Sequence, residues 1–105
     1  MVGDTAYVRA QVVRWVSDEP IPGIVEVQLI DGSGKVWTFV DKYPMFIATG
    51  SFGPTSDYPT PLEIACTVVE RNSERVIVST ALPYGIETVD GVSDFTLAPS
   101  QILVG

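Results

Sequence analysis

With no histidine anywhere in the chain, acid–base chemistry here would fall to carboxylates. None of the 105 residues is histidine, and one, Cys66, is cysteine. That excludes Ser-His-Asp and Cys-His nucleophiles, imidazole bases and His-ligated zinc or iron. A lone thiolate builds no zinc site within one chain. Ser51, in Gly50-Ser51-Phe52-Gly53, has neither the spacing of a nucleophile elbow nor a base to activate it. Gly32 and Gly34 sit in a hairpin turn, not in the strand-to-helix setting of a phosphate loop. The alternating oxygen ligands and closing acid of a calcium loop are missing as well. No metal and no cofactor is expected.

The carboxylates offer two arrangements. Asp41, Asp57 and Glu63 border one long segment, and two carboxylates about 5–9 Å apart are the minimum for glycosidic acid–base work. A carboxylate enzyme using Asp41 with Glu63 or Asp57 is therefore one alternative. It requires a larger cleft than so short a chain readily walls, and a non-enzymatic protein is the expectation. Glu87 and Asp94 come face to face if Asp90-Gly91 forms a two-residue turn. Like charges in that position are relieved by a cation, a raised pKa or splaying into water, and splaying is expected.

The strongest binding signal is the stretch from Val36 to Pro61, VWTFVDKYPMFIATGSFGPTSDYPTP. It opens as a strand bearing Trp37 and Phe39, then leaves the sheet at Asp41-Lys42-Tyr43-Pro44. Aromatic residues on a long connection inside a compact domain are usually functional, or hide an unrecognised element. The candidate ligand- or partner-binding residues are Asp41, Lys42, Tyr43, Phe46 and Tyr58. A lid folded over an open barrel end is expected ahead of a recognition surface. Cys66 falls on a core face, as a small buried apolar residue.

The remaining sequence must position these residues, and its patterning is that of strands. Val8, Ala10 and Val12 alternate on one face of a strand from Thr5 to Val16. A change of phase at Val12-Val13 predicts a bulge or bend. Asp18-Glu19-Pro20-Ile21-Pro22-Gly23 breaks the chain. Ile24–Ile30 and Lys35–Asp41 then form a hairpin around Asp31-Gly32-Ser33-Gly34. A left-handed Gly34 pairs Asp31 with Lys35, Leu29 with Trp37 and Val27 with Phe39. A one-residue slip would set Trp37 against Gln28 and Phe39 against Glu26 instead.

Leu62–Arg71 and Glu74–Ala81 form a second hairpin around Asn72-Ser73. A two-residue loop puts Leu62, Ile64, Cys66, Val68 and Ile77 on its core face. Ala65, Thr67, Val69, Val76 and Val78 then make a second apolar face, to be covered by the chain ends or used in self-association. Ile86–Val89 and Val92–Leu97 form a third hairpin around Asp90-Gly91. The tail, with Ile102, Leu103 and Val104, docks on the body. The expected fold is a single all-β domain over residues 1–105, a small antiparallel barrel or barrel-like sandwich of six to seven strands with one long Pro/aromatic loop.

Composition supports an ordered domain, with 46% hydrophobic and 18% charged residues. Thirteen acidic against six basic residues give a net charge of −7. Without clustered Lys and Arg, nucleic acid is not an expected partner. No apolar run reaches the roughly 18 residues of a membrane helix, so no membrane association is expected. The start, MVGDTAYVRA, lacks the basic and apolar regions of a signal peptide, and a single cysteine fits a reducing compartment. A cytoplasmic location follows as the expectation.

The run Trp37-Thr38-Phe39-Val40-Asp41-Lys42-Tyr43-Pro44-Met45-Phe46 and the later Pro83-Tyr84-Gly85-Ile86-Glu87 resemble small bacterial proteins of unassigned function. Those proteins share a W-x-F-x-D-K-x-P-x-F core and a P-x-G-I-E segment. The resemblance implies a compact bacterial cytoplasmic domain and transfers no functional residue. The functional expectation is an acidic β-module acting by protein–protein interaction, with itself as a homodimer or as an immunity-type inhibitor of a basic partner. The other alternative is a small-ligand-binding barrel closed by the 43–58 loop.

Overall fold

The computed structural model describes residues 3–20, 23–42, 44, 46, 57–82 and 84–104. Seven strands form one antiparallel sheet: β1 (Thr5–Ser17), β2 (Ile24–Ile30), β3 (Val36–Lys42), β4 (Thr60–Arg71), β5 (Val76–Ser79), β6 (Asp94–Leu97) and β7 (Ile102–Val104). A 3-10 turn, Pro99–Gln101, leads into β7. The strand order is β3-β2-β1-β4-β5-β6, and β7 pairs with β1. Among the described residues no helix is long and apolar enough to cross a membrane.

The long first strand organises the sheet. Its first part pairs with β4 from Thr5↔Thr67 to Val12↔Thr60. Its last part pairs with β2 from Gln11↔Gln28 to Ser17↔Ile24, with irregularities between Val12 and Arg14 and between Trp15 and Ser17. The first irregularity falls at the predicted change of phase. Ala6, Val8, Ala10 and Val12 all point into the core before it. Extra residues in a strand increase its local twist, which lets one strand serve two neighbours on a curling surface.

The β2–β3 hairpin adopts the predicted register, with Leu29 opposite Trp37 and Val27 opposite Phe39. The Asp31 amide donates to the Lys35 carbonyl at 2.9 Å, and Gly34 has φ of 89°. The Asp31 carboxylate ties the turn together. One oxygen accepts from the Ser33 amide at 2.8 Å, the Ser33 hydroxyl at 2.7 Å and the Lys35 amide at 3.0 Å. The other accepts from the Trp37 indole at 2.9 Å. The Lys35 ammonium lies 4.0 Å from the centre of the Trp37 ring.

Slight burial disfavours the charge on Asp31, but hydrogen bonds from the Ser33 hydroxyl, the Trp37 indole and the two amides outweigh it. They lower its pKa from 3.8 to about 2. A carboxyl depressed in the folded state stabilises the fold above its unfolded value and loses that contribution as pH falls through the folded value. Wild-type protein should therefore lose more stability than Asp31→Asn between pH 3.8 and about 2. Urea unfolding of both proteins across that window measures the difference, and parallel losses would contradict it.

The second hairpin corrects the predicted register. Thr67 pairs with Ser79 and Val68 with Val78, but Glu70 pairs with Ile77 and Arg71 with Val76. Val69 is the extra residue. The loop is Asn72–Arg75, closed by the Asn72 amide on the Arg75 carbonyl at 3.0 Å. The Asn72 side-chain oxygen also accepts from the Glu74 and Arg75 amides at 2.8 and 2.9 Å. A longer loop and a bulge reverse the phase of β5, so Val76 and Val78 enter the core and Ile77 does not. The expected second apolar face is therefore not formed as such, because Val76 and Val78 leave it for the core.

The third hairpin also differs. Thr88 and Val92 close a three-residue loop, with the Thr88 amide on the Val92 carbonyl at 2.8 Å and the Gly91 amide on the Thr88 carbonyl at 2.9 Å. Ile86–Val89 is not a strand, and Asp94 stands opposite Ser79 instead of Glu87. The like-charged pair does not form. Thr80 holds this crossing: its buried hydroxyl donates to the Ile86 carbonyl at 2.7 Å, and its amide donates to the Ser93 carbonyl at 2.8 Å.

The sheet curls until its two end strands meet. The Gly32 amide donates to the Thr96 carbonyl at 2.9 Å, and the Val89 amide donates to the Thr38 carbonyl at 3.0 Å. Phe95 of β6 lies edge-on to Trp37, 5.4 Å between ring centres, and 5.7 Å from Phe39. Aromatic contacts of this kind contribute about 0.5–1.5 kcal/mol beyond their buried area. They turn an open sheet into a barrel-like body whose two edge strands approach each other.

Candidate functional site

Four of the five residues predicted as a site are described, and they divide between rim and core. Asp41 and Lys42 end β3, opposite Val25 and Ile24. Asp41 is half-buried at the end of the Trp37–Phe39 face, Lys42 is exposed, and the Asp41 carboxylate accepts the Lys42 amide at 2.8 Å. Phe46 is buried in the core and meets Phe39 edge-on with ring centres 6.4 Å apart. Tyr58 is partly buried and packs against the same core. Tyr43 lies outside the described residues. Phe46 and Tyr58 thus both pack on the core, while Asp41 and Lys42 remain at its edge.

The three carboxylates bordering the long segment do not gather at one place, because Glu63 is set apart from Asp41. Glu63 stands on β4 opposite Arg9, away from β3. Asp57 is exposed, and its backbone carbonyl accepts the Thr60 hydroxyl at 2.6 Å. Among the described residues no three His, Cys, Asp or Glu side chains gather as a metal site would need. The Cys66 thiol is fully buried, donates weakly to the Ala6 carbonyl at 3.5 Å, and has its pKa pushed up by burial to about 11. A thiol in that state is packing, not a nucleophile.

A groove that the sequence did not point to lies on the outer surface of β1. It encloses about 370 Å³ and is lined by residues of β1, β2, β4 and the 3-10 turn. Arg9 and Glu63 face each other across β1–β4, and Gln11 and Gln28 across β1–β2. Leu62, Pro61 and Ile30 supply apolar lining. Gln101 forms one wall: its carboxamide donates to the Ile30 carbonyl at 2.7 Å and accepts from the Ala98 amide at 2.8 Å. The sequence signal was an outward polar residue on each of three strands. Only the strand order makes them neighbours.

Beside this groove the outward face of the β2–β3 hairpin carries Ile30, Val36 and Val40, which are 56%, 50% and 41% exposed. Ile30 and Val36 are directly opposed across the hairpin. Glu26, opposite Val40, is paired with Arg14 at 2.8 Å, which places an ion pair at the end of the apolar stripe. The chain matches no family model, and comparison with curated proteins and with solved structures finds no significant match.

Proposed function

We propose that the chain is a non-enzymatic, cytoplasmic binding module that docks a basic protein partner on the outward face of its β2–β3 hairpin. The observation that carries this is the stripe of Ile30, Val36 and Val40 in open exposure on one face. Scattered surface valines are ordinary; a directly opposed exposed pair, Ile30 with Val36, with Val40 on the same face beyond Thr38, supports an interaction surface. Thirteen acidic against six basic residues favour a partner of opposite sign, and charge complementarity of that kind raises association rates. An immunity-type inhibitor of a basic protein is the specific form of this reading. The absence of histidine and the buried, protonated Cys66 support a role in binding rather than in turnover.

Capture from a native lysate on wild-type protein and on Val36→Asp tests the surface. A basic protein should be retained by the wild type and lost by about tenfold or more in the variant, as for a central interface position. Val36 is half exposed, so the variant should fold. Light scattering at rising concentration separates a second copy from a foreign partner. A strict monomer that captures nothing, or a variant that captures equally, would remove the reading.

A further inference from the structure

The groove over β1 has a composition that the protein-partner reading does not use. On one edge, β1 pairs with β7 at Ala6, Tyr7 and Val8, and with β2 only from Gln11 onward. Arg9 and Ala10 therefore pass a gap between two strands, bridged by the Gln101 side chain at Ile30. A gap two residues long and closed at both ends cannot accept an added strand, so its occupant must be compact. Its volume of about 370 Å³ falls at the lower end of small-ligand pockets.

Four polar side chains surround it as two cross-strand pairs, Arg9 with Glu63 and Gln11 with Gln28. Among the described residues none of the four makes a side-chain hydrogen bond or ion pair. One positive and one negative group side by side disfavour a simple ion of either sign, since each ion is attracted by one and repelled by the other. A ligand carrying both charges satisfies both. A carboxylate matches the forked donors of a guanidinium, and an ammonium matches a carboxylate. The two carboxamides can each donate and accept, and Pro61 and Ile30 provide apolar contact for a short side chain.

We propose that this groove binds a small zwitterion of the α-amino-acid class, its carboxylate on Arg9 and its ammonium on Glu63, with Gln11 and Gln28 completing the polar shell. The groove shares Ile30 with the hairpin stripe, but Val36 does not line it, so Val36→Asp should leave ligand binding unchanged.

The test is titration of the full ¹⁵N-labelled chain with free amino acids, one at a time. The Gln11 and Gln28 side-chain amides and the Arg9 Nε–H are the reporters. At least one amino acid should give saturable shifts confined to the groove. Its N-acetyl and carboxamide derivatives, each lacking one charge, should bind about tenfold or more weakly, as should Arg9→Gln. Arg14→Gln, which removes the neighbouring ion pair outside the groove, should bind as wild type. Failure of every free amino acid to move these signals would overturn the proposal. So would equal shifts from the derivatives or from glycerol, which would mark a non-selective hydrated notch. Both of those outcomes are read on wild-type protein, whatever the variants do.

Discussion

Phe39→Ala should destabilise the domain by about 3–5 kcal/mol, the range for a buried phenylalanine truncated to alanine. Phe39 is fully buried. Its ring meets Phe95 of β6 and Phe46 of the long connection, so it joins three parts of the chain distant in sequence. The cavity left by truncation lies where β3 and β6 approach. Small domains are stable by about 5–15 kcal/mol in total, so this variant would be partly unfolded near physiological temperature. Urea unfolding followed by circular dichroism measures the loss. A change below about 1 kcal/mol would mean that the aromatic contacts between β3 and β6 do not close the sheet.

Gly23→Ala should have the second-largest effect, about 2–4 kcal/mol, from two separate causes. Gly23 has φ of 131°, where a side chain is strained. A Cβ there would also stand 2.1 Å from the Trp15 ring, which packs directly over the glycine. Trp15 cannot simply swing away, because its indole donates to the Asp18 carboxylate at 2.8 Å. The variant must distort the turn that delivers the chain into β2, beside the Asp41–Lys42 rim. A lowered melting temperature, with a shifted Trp15 indole N–H resonance, is the expected result. An unchanged resonance would show that the ring does not rest on Gly23.

These two positions bear differently on how much of the molecule can be read from its residues. Phe39 was assigned to the core from turn chemistry and alternation alone. Asp31-Gly32-Ser33-Gly34 admits a three-residue loop with a left-handed glycine, and one register then aligns Trp37 and Phe39 with Leu29 and Val27. The observed pairing is that register. The information is local, so a local argument retrieves it. Gly23 carried no such signal beyond marking a chain break, because the ring that demands a glycine comes from β1, eight positions earlier.

The second hairpin failed for a related reason. Val68-Val69 and Val76-Ile77-Val78 are apolar on both faces, so alternation does not select the face of β5. The choice was made by the Asn72 side chain, which closes a four-residue loop, and by the bulge at Val69. Burial followed the loop. With it went the expected second apolar face, since Val76 and Val78 now fill the core.

The amino-acid sequence by itself determined the all-β class, the bent first strand, the β2–β3 register and the burial of Cys66. Each rests on short-range periodicity or on a turn residue with few alternatives. The tertiary structure alone decided the placement of Phe46 and Tyr58 on the core and the separation of Glu63 from Asp41. It also decided the meeting of Arg9, Gln11, Gln28 and Glu63 around one groove. Those are relations between strands far apart in the chain. They depend on β1 lying between β2 and β4 and on the curl that brings β6 to β3, which no local pattern encodes.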